Sequence, residues 1–181
     1  MWIPVLFYIA IILFSFALVV IDECKKGTLA TRLRCAARNL GFRHTHLRRI
    51  ASHSTILLAS MLITVTVLIV TANILGANDA GKVSEKINER IQNNPWMLFY
   101  LLTIGVIAEE TFFRGYLVEQ FGVVFSATIF ALSHITYGSV VEVIGAFLLG
   151  LILAYGFKKA GSLWPAILAH QSYNSIMFLM L

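Results

Sequence analysis

Two adjacent glutamates, Glu109 and Glu110, with Arg114 four residues on, interrupt an otherwise apolar run from Pro95 to Gln120. Ionisable groups in such a run cost about 2.5 kcal/mol each on insertion scales and more in simulation, so they are functional candidates by default. His134 closes a second apolar run, in Phe130-Ala131-Leu132-Ser133-His134, and a third carries His170-Gln171-Ser172-Tyr173-Asn174. His170 and Asn174, four apart, share one helical face. Glu110 and Arg114 have the spacing of a helical ion pair with the acid first, the better orientation. Glu109 points about 100° away around the same helix and has no such partner. Two neighbouring carboxylates in different surroundings allow one to serve as a structural anion and the other as a base. Glu109 is expected to be the base.

Hydrolysis of a peptide bond needs a base to take a proton from water, and donors fixed where charge develops on the carbonyl oxygen. Glu109 beside a histidine can supply the first, and an imidazole with an amide one turn away can supply the second. Glu109, His134 and His170 are also a possible zinc set with water as fourth ligand. Against zinc stand the absence of H-E-x-x-H and the poor ligand quality of Asn174. Ser133 points to a different helical face from His134, so a serine nucleophile is not favoured.

Positioning these residues requires helices that cross a bilayer. The 181 residues are 59% hydrophobic and only 13% charged, with a mean hydropathy of +0.82, far from the usage of soluble domains. Measured against the roughly 20 residues that span hydrocarbon, apolar stretches at Trp2–Ile21, Thr55–Leu75, Pro95–Gln120, Gly122–Ile135, Val140–Phe157 and Leu163–Leu181 predict an all-α bundle of about six spans. The first lacks the preceding basic residues and the small-residue site of a removable signal peptide, and is expected to be permanent. At 1.5 Å per residue, and with a tight turn at Phe121-Gly122, Glu109, His134, His170 and Asn174 come to about 16, 18, 11 and 17 Å from the same face. One layer is expected to hold all four. Tyr137, Glu142 and Trp164 fall near span ends and fit an interfacial role.

The net charge of +5 is concentrated in the loop 22–54, which carries Lys25, Lys26, Arg32, Arg34, Arg38, Arg43, Arg48 and Arg49. This places the loop in the cytoplasm against anionic lipids, with the N-terminus outside, and excludes nucleic acid as the partner. Leu29, Leu33, Ala36, Ala37 and Leu40 recur at helical spacing, as in a helix lying in the headgroup plane. His44, His46 and His53 are expected to be solvated. Cys24 and Cys35 have neither the number nor the spacing of a zinc site or a disulfide framework. The chain divides into an N-terminal membrane region, 1–94, and a core of about four spans, 95–181.

The core resembles the CPBP family, which comprises type II CAAX prenyl proteases and bacteriocin-processing or bacteriocin-immunity membrane proteins. Its E-E-x-x-x-R motif is met by Glu109, Glu110 and Arg114, its F-x-x-x-H by Phe130 and His134, and its H-x-x-x-N by His170 and Asn174. The resemblance implies a glutamate-dependent intramembrane endopeptidase without a required cofactor. In it Glu109 and His134 activate a water, His170 and Asn174 stabilise the oxyanion, and Glu110 with Arg114 support them. The substrate would be a membrane-associated protein or peptide, of CAAX or bacteriocin type. Competing readings are a non-catalytic scaffold or self-immunity protein using the same cavity, and a proton pathway. The apolar residues from Trp96 to Ile107 on the outer side of Glu109 argue against a pathway and predict a cavity open to the cytoplasmic face.

Overall fold

The computed structural model describes residues 3–94 and 96–180; Trp2, Pro95 and Leu181, on which expected spans begin or end, lie outside them. Among the described residues the chain is helical throughout, without strands. Eight helices follow in order: α1 Ile3–Asp22, α2 Leu29–Asn39, α3 Leu47–Ile74, α4 Gly81–Asn93, α5 Trp96–Phe121, α6 Val123–Ser133, α7 Val140–Ala160 and α8 Trp164–Leu179. All six expected apolar stretches fall on helices. Three of them, α3, α5 and α7, are long and apolar enough to cross a membrane, while α6 and the apolar part of α1 are shorter.

Large apolar side chains on the outside of α1 and α3, among them Leu13, Phe14, Ile63 and Val67, are exposed, as lipid-facing positions are. Between helices, close packing rather than water exclusion supplies the cohesion. Leu57 and Met61 of α3, Leu149 and Leu153 of α7, and Ala166 and Ala169 of α8 form one buried cluster. α6 meets α7 through small residues. A Cβ added at Gly150 would come within 3.2 Å of the Ala127 backbone, so a larger residue would have to push the two helices apart by a few tenths of an ångström. The chain reverses between α5 and α6 at Gly122, whose φ of +89° suits a residue without a side chain.

The basic segment is more ordered than a loop in the headgroups. Thr28 caps α2, whose Ala36, together with Leu40 just past its end, is buried against Val19 and Cys24. Leu29 and Leu33 remain exposed, so only the outer part of the amphipathic face is free for lipid. Cys24 and Cys35 form a disulfide, contrary to the expectation from their number and spacing. The turn of α2 brings position 35 back over the end of α1, a proximity that counting cysteines does not reveal. The segment after α2 is tied to the turn before α8: the Leu163 amide donates to the Gly41 carbonyl at 2.9 Å and the Ser162 hydroxyl to that of Arg43 at 3.2 Å. α3, with 28 residues and therefore about 42 Å long, separates this basic face from the face that carries α4.

A candidate active site between α5, α6 and α8

α5 is not a uniform α-helix. Leu101–Gly105 and Glu110–Leu117 are π-helical, with one α turn, Val106–Glu109, between them. Such widened turns occur often at functional sites, and here the α turn ends at Glu109 and the second π-helical stretch begins at Glu110. Glu110, Thr111 and Arg114 are fully buried. Gly115 follows because the Leu40 carbonyl lies against it; an added Cβ would come within 2.6 Å of that oxygen.

Glu110 is the hub of a buried network. Its Oε1 lies 2.9 Å from Arg114 Nη1 and 2.7 Å from His170 Nδ1. The arginine contact lacks hydrogen-bond alignment, so its hold on the carboxylate is coulombic. The histidine contact is a hydrogen bond across helices. Since a carboxylate accepts, Nδ1 carries the hydrogen and His170 Nε2 is turned toward Glu109, whose Oε2 is 3.9 Å away. Glu109 itself is partly open, with 26% of its side chain accessible. That gap is too long for a direct bond.

Phe130 explains the aromatic residue four positions before the second histidine. The Arg114 guanidinium stands 4.3 Å from its ring centroid, a cation–π contact for a buried cation with few polar partners. His134 lies 4.6 Å and His170 6.0 Å from the same ring. At the end of α6, His134 directs Nδ1 to the Phe130 carbonyl at 2.8 Å. A carbonyl only accepts, so Nδ1 is the protonated nitrogen of the neutral ring and Nε2 is left free.

Glu109, His134, His170 and Asn174 all line one cavity of about 480 Å³. Arg114 and Glu110 lie behind its wall. The cavity runs toward α4, where Val83 and Ile87 line it, and not toward the basic face. This corrects the expected opening: α4 folds over the outer end of the site, and the apolar start of α5 lines the cavity instead of sealing it. Tyr137 and Glu142 also line the cavity, with Tyr173, which corrects their interfacial reading. A signal was available. His134 and Glu142 flank a short turn around Gly138, and so both can line the cavity at its mouth. Among the described residues no three His, Cys, Asp or Glu side chains are gathered closely enough to hold a metal ion.

Residues 91–176 match the family model described as Type II CAAX prenyl endopeptidase Rce1-like. Over these residues the chain is similar to that family. The matched segment holds every residue of the cavity's polar cluster, from Glu109 to Asn174, whereas α1 to α3 lie outside it. No curated protein matches the chain, and no solved structure does. Residues 91–176 are thus similar to a family of membrane proteases, and three helices of the chain, α3, α5 and α7, are long and apolar enough to cross a membrane.

Proposed function

We propose that the protein is an intramembrane endopeptidase that hydrolyses a peptide bond of a membrane-associated protein or peptide, of CAAX or bacteriocin type, with a water activated by Glu109 and His134. The observation that carries the reading is the partly open Glu109 carboxylate beside His170 and in one cavity with the free Nε2 of His134. Glu109 or His134 Nε2 takes the proton as the water oxygen attacks the carbonyl carbon, and the proton then passes to the leaving amine. Asn174 and His170 supply N–H donors to the developing oxyanion, with Glu110 orienting His170 and stabilising its protonated form. Glu110 and Arg114 therefore act through His170 and not on the substrate. Water suffices as nucleophile, and the separation of the carboxylate and imidazoles favours a reaction without zinc. The apolar arm of the cavity between α3 and α8, lined by Val65 and Met177, takes an apolar part of the substrate.

We also infer that the basic loop 22–54 faces the cytoplasm against anionic lipids, since its lysines and arginines far outnumber its acids; the Cys24–Cys35 disulfide, of a kind rare in a reducing compartment, argues for the other face. The cavity then opens on the opposite face. A cysteine placed at Val83 should react in intact cells with a membrane-impermeant maleimide, and one at Lys158 should not; the reverse pattern inverts the topology.

Purified protein tested on membrane-tethered and C-a-a-X-ending peptides should cleave at least one of them, with and without a chelator. Glu109→Gln and His134→Ala should be inactive while folded. Wild type that binds these peptides yet leaves them intact, like both variants, would identify a scaffold. Chelator-sensitive cleavage would establish a metal.

A further inference from the structure

The turn that carries His134 is held from outside the Rce1-like region. α6 ends at Ser133, and residues 134–139 join it to α7. His134 has left the helical ladder, which brings Ser133 Oγ, expected on another face, to 3.2 Å from its Nδ1; the other partner of the ring is also local, the Phe130 carbonyl. Within α6, the Phe130 ring packs between His134 and His170, whereas the turn beyond Ser133 is held from another part of the chain.

Three side chains from the α3–α4 connection and α4 end on this turn. Asp79 Oδ1 accepts from Ser139 Oγ at 2.7 Å and from the Val141 amide at 3.1 Å, and Oδ2 accepts from the Val140 amide at 2.9 Å. The Lys86 ammonium donates to the Thr136 carbonyl. The Arg90 guanidinium stands 5.3 Å from the centre of the Tyr137 ring. A helix start leaves its first amides without partners, and a neighbouring residue of the same strand of chain usually serves them. In α7 the duty is divided. Ser139 serves the Glu142 amide, while a carboxylate sixty residues earlier, as the separation from Ser139 shows, serves Val140 and Val141. Its charge suits the positive end of the helix dipole, and its bonds are charge-assisted.

We propose that Asp79 is a positioning residue: by latching the α3–α4 connection to the start of α7, it sets the 134–140 turn and with it the place of His134 relative to His170 and Glu109. The inference rests on the protease reading for its kinetic consequence, but the latch can be tested without it. The Lys86 and Arg90 contacts lie along the same edge of α4, so the latch also fixes the roof of the cavity.

Hydrogen exchange of residues 134–142 should rise at least about tenfold in Asp79→Ala and in the milder Ser139→Ala, with α8 unchanged; unaltered exchange overturns the latch whether or not the protein is an enzyme. On a cleaved peptide, Asp79→Asn should lower kcat by about ten- to a hundredfold, since misplacement by about 1 Å can have that effect, with KM within about twofold. A double variant, Asp79→Cys with Ser139→Cys, should recover kcat when oxidised and lose it when reduced, with wild type treated alike as control. Faster exchange with unchanged kcat would leave Asp79 a cap alone and overturn the positioning role.

Discussion

The two halves of the chain do different work. From α5 onward the helices carry every polar group of the cavity cluster and the buried Glu110–Arg114–His170 network. Before α5, α3 supplies an apolar wall, α1 and α2 a buttress under Gly115, and α4 a roof. Chemistry needs particular atoms at particular places, so the second half is legible as short motifs. A wall or a roof needs only apolar surface and length, which many sequences provide. The Rce1-like match stops near the start of that division, at residue 91.

Changes to the two halves should therefore fail in different ways. The largest effect expected is on catalysis: Glu109→Gln or His134→Ala should reduce cleavage by about 10²- to 10⁴-fold with little loss of fold, measured as kcat beside thermal unfolding in detergent. Arg114→Met should instead destabilise by about 3–5 kcal/mol, because it leaves Glu110 buried without a counter-charge. Adding Glu110→Gln should recover part of that loss in the same unfolding assay. At the boundary between the halves, Gly115→Ala should destabilise by about 1–3 kcal/mol through overpacking against the Leu40 carbonyl; a neutral result would mean that α2 yields easily and is no buttress.

The smallest effect concerns pH. Hydrogen bonds from Ser139 first, and then from the Val140 amide, hold the Asp79 carboxyl well below its ordinary value of 3.8. A carboxylate whose folded value is depressed contributes fully above the unfolded value, and the contribution is lost as pH falls through the folded one. The latch should therefore be unchanged between roughly pH 5 and 8, read as intrinsic-rate-corrected exchange of the Val140 and Val141 amides. Loosening within that range would show that a histidine, and not Asp79, governs the turn.

How much of this was readable beforehand follows from the same division. The apolar stretches and the helical spacing of Glu110 with Arg114 and of His170 with Asn174 depend on local sequence, and they appear in the structure as helices and neighbours. The partnership of Glu110 with His170 does not, because it joins residues sixty apart on different helices. Phe130 was visible as part of a motif, but its place between Arg114 and both imidazoles was not. The direction of the cavity was misread because an apolar run looks the same whether it meets lipid or lines a hollow. Cys24 and Cys35 were misread because eleven residues of separation say nothing until α2 folds back.

The two π-helical stretches make the placing of the cavity's polar groups depend on the length of α5. Each holds one residue more per turn of hydrogen bonding than an α-helix does, so a deletion within Leu101–Gly105 or Glu110–Leu117 would allow that turn to close as ordinary α-helix. Everything beyond it would then rotate by about 100°, carrying Glu109 or Arg114 off its face while leaving the span hydrophobic and folded. Variation that conserves residue number should be tolerated along much of this helix. Single-residue insertions and deletions should not, even where the altered residue touches neither the cavity nor its network.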